Sequence, residues 1–285
     1  MTWSLYQEAQ WLSRESSPKS FIQNYFNNSK SALTRPGELW KQPALAKTLT
    51  LIRDKGQDGF YKGAVAEEIE QFMIQNGCIL TKKDLEKYQA IERKPIKGSY
   101  KGYDIYSMPP PSSGGVALVE MLNMMECANL KEVEFNSTGY VHLLAEVMRR
   151  TFADRAQHLG DPDFNSNMPI EKLTSKEFAK NRFRQIDMNS ASRSDSSTFG
   201  QPYDGNNTTH FSVVDKDGNA VSLTYTLEDS YGSKMGSNKL GFIFNNEMGD
   251  FNPVPGVTNS RGQIGSAANI IAPEKRMLSS MTPTI

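Results

Sequence analysis

The stretch "TTHFSVVDKDGNAVSLTYT", Thr208–Thr226, predicts an antiparallel hairpin. Apolar and polar residues alternate in its first half, Asp217-Gly218 is a turn signal, and the second half is rich in β-branched residues. Because side chains two residues apart share a face of a strand, Thr208 and His210 should point one way and Thr209 the other. The hydroxyl groups at the head of this hairpin are either ordinary strand residues or part of a reactive site.

Length and charge limit the class of protein. The chain has 285 residues, 38% of them hydrophobic, which is enough material for a globular protein with a large core. It carries 32 basic and 32 acidic residues and a formal net charge of zero. Nucleic acids and anionic membranes attract clustered Lys and Arg, so neither partner is expected.

The cysteines do not indicate a metal site, and the first residues do not indicate a cellular location. Cys78 and Cys127 are too few and too far apart for a metal cluster, and we expect neither a metal nor a cofactor. The start, MTWSLYQEAQ, lacks the basic and apolar segments of a secretion signal. No apolar run approaches the roughly 20 residues of a membrane span, so no membrane segment is expected.

Apolar spacing and turn residues predict helices with one strand between them. A helix is expected over 61–77, where a glycine ends the apolar pattern. A strand-like segment over 100–106 must end at the three prolines that follow it. Ser112 or Ser113 is then expected to cap a helix over 116–130.

A second long helix is expected over 138–159. Its apolar residues at helical spacing predict a buried stripe, and its charged residues should take the other faces. The predicted stripe consists of Val141, Leu144, Met148 and Phe152, and the charged residues are Arg149, Arg150, Asp154 and Arg155.

Residues 189–207 are rich in Ser, Gly, Asn and Asp and are predicted to be a flexible segment. The segment ends immediately before Thr208, and chain cleavage needs a mobile stretch of this kind. Helices followed by an antiparallel hairpin indicate the α+β fold class.

Five motifs occur along the chain in a fixed order. They are MPPPSSGG (Met108–Gly115), ADR with LGDPDF (Ala153–Phe164), TTHFSVVDKDGNAVSLTYT (Thr208–Thr226), FNNEMGDF (Phe244–Phe251) and LSSMTPTI (Leu278–Ile285). In these motifs and in their order, the sequence from about Pro43 to Ile285 resembles the gamma-glutamyltranspeptidase family.

The resemblance implies the fold of an N-terminal nucleophile hydrolase, a four-layer αββα sandwich that this chain, truncated at both ends, carries incompletely. It implies a precursor that cuts itself between Asn207 and Thr208. Residues 1–207 would then form the C-terminal part of a large subunit, and 208–285 the start of its small partner subunit. It also implies a periplasmic or extracellular location.

The implied activity is gamma-glutamyl transfer and hydrolysis, with glutathione and related amides as substrates and an amino acid, a peptide or water as acceptor. Thr208 is the implied nucleophile. A threonine hydroxyl needs a base, and the α-amine that cleavage exposes can supply one. Thr226 matches the residue that orients this hydroxyl by a hydrogen bond. His210, which shares the face, is the alternative base, or else a structural histidine.

A gamma-glutamyl group presents an α-ammonium and an α-carboxylate, so its site needs acceptors for one and donors for the other. Glu228, Glu247 and Asp250 match the positions that hold the ammonium, and many members of the family carry asparagine in place of Glu228. Ser279 and Ser280 match the serine pair that donates to the carboxylate. Two carboxylates in one loop are too few for a good calcium cage, so no metal is expected there.

The resemblance places a carboxylate-binding arginine before Met1 and the glycine pair of the oxyanion hole after Ile285. The chain as it stands is therefore expected to remain uncleaved and inactive, since oxyanion donors matter for both reactions. A cephalosporin (glutaryl) acylase, a poly-gamma-glutamate depolymerase and a non-catalytic remnant are the alternative functions. Arg261 falls near the gate of an implied lid over 255–266.

Overall fold

The computed structural model describes residues 33–193, 208–252 and 267–285, with 3, 6–7, 9–10, 25–26 and 254. The chain divides into two compact units. The first unit consists of Met1–Glu92 and Leu227–Asn246, and the second of Arg93–Thr226 and Glu247–Ile285. Most of the predicted flexible segment and the whole predicted lid, with Arg261, lie outside the described residues.

Four helices lie between residues 43 and 87 of the first unit. The helix predicted over 61–77 is confirmed in its main part: it begins at Gly63 and ends before Gly77. Gly77 has a φ of +70°, a left-handed conformation that glycine adopts without strain. Thr81 and Asp84 form a capping box at the start of the next helix. The helices are α1 (Pro43–Lys55), α2 (Asp58–Tyr61), α3 (Gly63–Gln75) and α4 (Lys82–Lys87).

These helices pack against the returning segment Leu227–Asn246. The Thr48 hydroxyl of α1 donates to the carbonyl oxygen of Leu240 at 2.9 Å, and both residues are buried. Phe72 of α3 stacks on Phe244, with ring centroids 5.2 Å apart. The buried apolar residues of this core are Val65, Ala66, Ile69, Met73, Leu85 and Leu240.

The second unit combines helices with two antiparallel hairpins. The segment predicted as one strand over 100–106 is a hairpin, because Lys101 and Gly102 take positive φ angles and reverse the chain. The hairpin predicted over Thr208–Thr226 is confirmed, with a loop of residues 215–219 between its strands. The elements are β1 (Ile96–Tyr100), β2 (Tyr103–Ser107), α5 (Gly114–Cys127), α6 (Thr138–His158), α7 (Ile170–Leu173), α8 (Lys176–Phe183), β3 (Thr208–Val214), β4 (Ala220–Thr226) and the 3-10 turns Glu247–Asp250 and Ala267–Asn269.

Helix α6 buries a different face from the predicted one. Val141 and Phe152 of the predicted stripe are 53% and 43% exposed. The buried face instead carries Glu146, Arg150 and Asp154, each of them at most 9% exposed. Charged side chains can be buried when they are paired, and Arg150 Nη1 lies 2.6 Å from Glu146 Oε2. The stripe prediction for this helix is therefore wrong.

Three helices of the second unit meet around a buried pair of carboxyl groups. Glu120 of α5 and Asp154 of α6 are each 1% exposed. Arg182 of α8 donates from Nε to Asp154 at 2.9 Å and from Nη2 to the other Asp154 oxygen. Burial, and then the charge and hydrogen bond of Asp154, raise the pKa of Glu120 to about 9. Glu120 is therefore neutral near pH 7, and Arg182 balances the charge of Asp154.

The segment Leu278–Ile285 joins the helices of the second unit to both of its hairpins. It pairs with β2 through backbone hydrogen bonds, and the Thr284 amide donates to the Ser222 hydroxyl of β4 at 3.0 Å. Gly114, at the start of α5, permits a close approach, since a Cβ there would lie 2.3 Å from the Met281 carbonyl oxygen. These contacts fix the backbone on which the predicted serine pair sits.

Candidate active site

Thr208 is the first residue of β3 and lies directly opposite Thr226, the last residue of β4. Opposed residues of an antiparallel pair share a face. Thr208 is exposed and Thr226 is half-buried. The register therefore places the predicted nucleophile and the residue predicted to orient it side by side at one end of the hairpin.

His210 lies on the same face, two residues farther along β3. Its Nδ1 is 2.8 Å from the Thr224 hydroxyl oxygen, and its Nε2 is 3.3 Å from the Ser212 hydroxyl oxygen. A neutral imidazole has one donor and one acceptor nitrogen, so these hydroxyl groups engage both. The contacts favour a structural role for His210 over that of a general base.

Glu247 opens the 3-10 turn Glu247–Asp250 and is 9% exposed. Its carboxyl group hydrogen-bonds with the side chain of Thr226. Burial, followed by the negative charge of Asp250, raises the pKa of Glu247 to about 7, and the Thr226 hydrogen bond opposes this rise. Glu247 therefore changes its charge near neutral pH while in contact with the partner of Thr208.

Asp250 closes the same turn and is half-buried. Its carbonyl oxygen accepts a hydrogen bond of 2.7 Å from Nδ2 of Asn269, which is 2% exposed. Oδ1 of Asn269 accepts from the Leu278 amide at 2.9 Å. Asn269, which no sequence motif singled out, thus ties the turn with the two carboxylates to the segment with the serine pair.

Ser279 is buried and Ser280 is exposed. The carbonyl oxygen of Ser279 accepts from both the amide and the hydroxyl of Ser113, each at 2.8 Å. The Ser279 amide donates to the Pro111 carbonyl oxygen at 3.1 Å. Of the two predicted caps, Ser112 accepts at its hydroxyl from the Gly114 amide at 3.2 Å, at the start of α5. Ser113 occupies the N-cap position, but its hydroxyl makes no capping bond. The Ser113 hydroxyl instead donates to the Ser279 carbonyl oxygen and so holds the segment Leu278–Ile285, which carries the serine pair.

Arg155 of α6 contacts one serine of the pair and is attracted by one of the two carboxylates, although the helical pattern does not mark it as a site residue. Its Nε donates to the Ser113 hydroxyl at 2.8 Å, and its Nη2 donates to the Ser280 hydroxyl at 3.2 Å. Burial lowers the pKa of Arg155, and the attraction of Asp250 opposes this effect. Its place in the ADR motif was the signal that could have identified it.

Glu228 belongs to the first unit, whereas the other predicted site residues belong to the second. It is half-buried and has a φ of +75°, a left-handed conformation that asparagine adopts more readily than glutamate. This backbone suits the asparagine that many family members carry here. The second unit gathers Thr208, Thr226, Glu247, Asp250, Ser279 and Ser280, with Arg155 and Asn269 in addition.

The gathered side chains suit a ligand that carries both charges. Glu247 and Asp250 offer acceptors for an ammonium group, and the serine pair with Arg155 offers donors for a carboxylate.

Among the described residues, no group of three or more His, Cys, Asp or Glu side chains is arranged to hold a metal ion. Over the same part of the chain, every helix is too short or too polar to cross a membrane.

Known proteins match along the length of the chain. The model of the gamma-glutamyltranspeptidase family matches residues 2–285. A glutathione hydrolase proenzyme of Escherichia coli K12 is 47% identical over 266 residues, which are 90% of this chain and 46% of the relative. The chain spans about half the length of the curated relatives it matches.

Solved structures agree with the sequence matches. The crystal structure of Helicobacter pylori gamma-glutamyltranspeptidase has a TM-score of 0.61 at 40% identity, over 65% of this chain and 53% of that one. A cephalosporin acylase of Bacillus halodurans has a TM-score of 0.79 at 24% identity, over the whole of this chain and 50% of that one, and shows the fold alone. The predicted N-terminal nucleophile hydrolase fold is confirmed, and its described sheets are two-stranded.

Proposed function

The chain belongs to the gamma-glutamyltranspeptidase family, and we propose that the protein transfers and hydrolyses the gamma-glutamyl groups of glutathione and related amides. One connected set of contacts in the second unit supports the proposal most. Thr208 faces Thr226, and Thr226 hydrogen-bonds with Glu247. The turn that begins at Glu247 ends at Asp250, whose charge attracts Arg155. Acceptors for an ammonium group and donors for a carboxylate are thereby connected to the hydroxyl of Thr208.

Self-cleavage before Thr208 gives this residue a free α-amine, which is its base. Thr208 Oγ attacks the γ-carbonyl carbon of the substrate, and the α-amine takes the hydroxyl proton. The amine passes that proton to the leaving nitrogen, the C–N bond breaks, and a gamma-glutamyl ester remains on Thr208. Water, or the amine of an amino acid or peptide, then attacks the ester carbonyl and gives a proton to the neutral α-amine, which becomes an α-ammonium again. The Thr208 oxygen leaves and recovers a proton from the α-ammonium.

Recognition divides between the two charges of the gamma-glutamyl head. Glu247 and Asp250 of the second unit hold the α-ammonium, and Ser279 and Ser280 donate to the α-carboxylate. The half-buried Asp250 and the buried Glu247 favour gamma-glutamyl over glutaryl substrates, since a glutaryl group has no ammonium to bind. The family resemblance supports two further proposals: that the cleaved chains remain paired, and that the protein acts in the periplasm or outside the cell.

Substitution of the two adjacent threonines tests the nucleophile. Thr208→Ala in the full-length protein should abolish both self-cleavage and release of aniline from a gamma-glutamyl anilide, because one hydroxyl serves both reactions. Thr209→Ala is the matched control, since this neighbour points to the other face of the strand. It should be cleaved and should keep its activity. The cleaved chain is identified by mass spectrometry. An active Thr208→Ala protein would exclude this assignment.

A further inference from the structure

Arg155 makes contacts that the proposed chemistry does not yet use. We propose that Arg155 is a positioning residue of the carboxylate subsite, which aims the Ser280 hydroxyl at the α-carboxylate of the substrate. The inference rests on the proposed function and adds a residue to it. Arg155 acts on the carboxylate through Ser280 and does not itself touch it.

The hydrogen bonds determine where the Ser280 proton can point. A hydroxyl group has one proton to donate and two lone pairs that accept. Arg155 Nη2 donates to Ser280 Oγ and occupies one of these lone pairs. The Ser280 proton therefore points away from the guanidinium, and since no acceptor for it lies among the described residues, an external acceptor can take it. Polarisation by a cation also makes the hydroxyl a stronger donor to an anion.

The other end of the guanidinium is fixed by Ser113. Arg155 Nε donates to the Ser113 hydroxyl, and that hydroxyl donates its own proton to the Ser279 carbonyl oxygen. The Ser113 amide donates to the same carbonyl oxygen. One arginine is thus bonded at Nε to the residue that holds the serine segment, and at Nη2 to the serine that the segment presents. Two such bonds in a fixed orientation need the fork of a guanidinium, which lysine lacks.

The charge of Arg155 matches the charge pattern of the substrate head. Asp250 attracts the guanidinium. A gamma-glutamyl head carries its ammonium and its carboxylate on one carbon atom, so its two charges need neighbouring partners of opposite sign. Asp250 supplies the negative partner, and Arg155 together with Ser280 supplies the positive side. Removal of Arg155 should therefore weaken recognition of the carboxylate far more than recognition of the ammonium.

The test compares three anilides that differ only at the α-carbon. The gamma-glutamyl anilide carries both charges, the glutaryl anilide only the carboxylate, and the 4-aminobutyryl anilide only the ammonium. In the full-length, self-cleaved protein, Arg155→Met should lower kcat/KM for the first two by roughly tenfold or more, mainly through KM. The 4-aminobutyryl anilide should change by less than about threefold. Arg155→Lys should recover part of the loss, since it keeps the charge without the fork.

A double-mutant cycle distinguishes positioning from a structural role. If Arg155 acts through Ser280, then Arg155→Met should cost little in a Ser280→Ala protein, so the two losses should not add. Fully additive losses, or an equal loss on all three anilides, would overturn the proposal. Arg155→Lys and Ser280→Ala supply the same comparison if Arg155→Met fails to fold. A wild-type protein that turns over the 4-aminobutyryl anilide as well as the gamma-glutamyl anilide would contradict the proposed function instead.

Discussion

The charge of Glu247 should make substrate selectivity depend on pH. Burial and the charge of Asp250 raise the pKa of Glu247 to about 7. The α-ammonium of a gamma-glutamyl group favours the ionised carboxylate, so binding should strengthen as pH rises through this value. At about pH 6 only roughly a tenth of the carboxyl groups are ionised, and at about pH 8 roughly nine tenths are. If both carboxylates must be charged, KM for an ammonium substrate should be about tenfold higher at the lower pH.

The α-amine of Thr208 also titrates near neutrality, so the assay must separate catalysis from recognition. The ratio of kcat/KM for a gamma-glutamyl anilide to kcat/KM for a glutaryl anilide does this, because both substrates use the same base. The ratio should fall about tenfold from about pH 8 to about pH 6 in the wild-type full-length protein and remain nearly constant in Glu247→Gln. A constant ratio in the wild type, or an unchanged slope in the variant, would refute the argument.

Two further predictions concern carboxyl groups of the second unit. Asp250→Asn should raise KM for gamma-glutamyl anilide by about tenfold or more and leave glutaryl anilide nearly unchanged, since only the first carries an ammonium; equal losses would assign Asp250 to the fold. Glu120 has a pKa raised to about 9, so the folded state holds a proton that the unfolded state releases above about pH 4.5. The free energy of unfolding of the wild-type protein should therefore fall by up to about 1.4 kcal/mol per pH unit between about pH 4.5 and pH 9. Glu120→Gln should lose that slope. Urea unfolding at about pH 6 and pH 8 measures it in both proteins. The same slope in both proteins would mean that Glu120 is ionised.

Local patterns in the sequence predicted much of the hairpin Thr208–Thr226. Alternation and turn signals specify strands because they depend on residues that are close along the chain. The confirmed register then determines which side chains are neighbours, and Thr208 comes to lie beside Thr226 for that reason alone. His210 shows the limit of the pattern. Strand alternation placed it on the face of Thr208, but only the structure shows that Thr224 and Ser212 engage both ring nitrogens.

Helix α6 shows why contacts between distant parts of the chain could not be predicted from the sequence. Hydrophobic periodicity assumes that charged residues face solvent, but Glu146 and Asp154 are buried because each is paired with an arginine, Glu146 with Arg150 of the same helix and Asp154 with Arg182 of α8. The partner of Asp154 lies 28 residues away, and no local pattern contains it.

Arg155 belongs to the same helix and is missed by the helical pattern for the same reason, since its two serine partners lie 42 and 125 residues away along the chain. A helical pattern represents such a residue as one more surface cation. A guanidinium that is fixed at both ends by hydroxyl groups and attracted by a carboxylate has lost the freedom of a surface side chain, and that loss of side-chain entropy needs compensating interactions. In Arg155 the compensation comes from Ser113, Ser280 and Asp250. Two of these three were predicted as substrate-binding residues, so the contacts that order the arginine also place it at the proposed site.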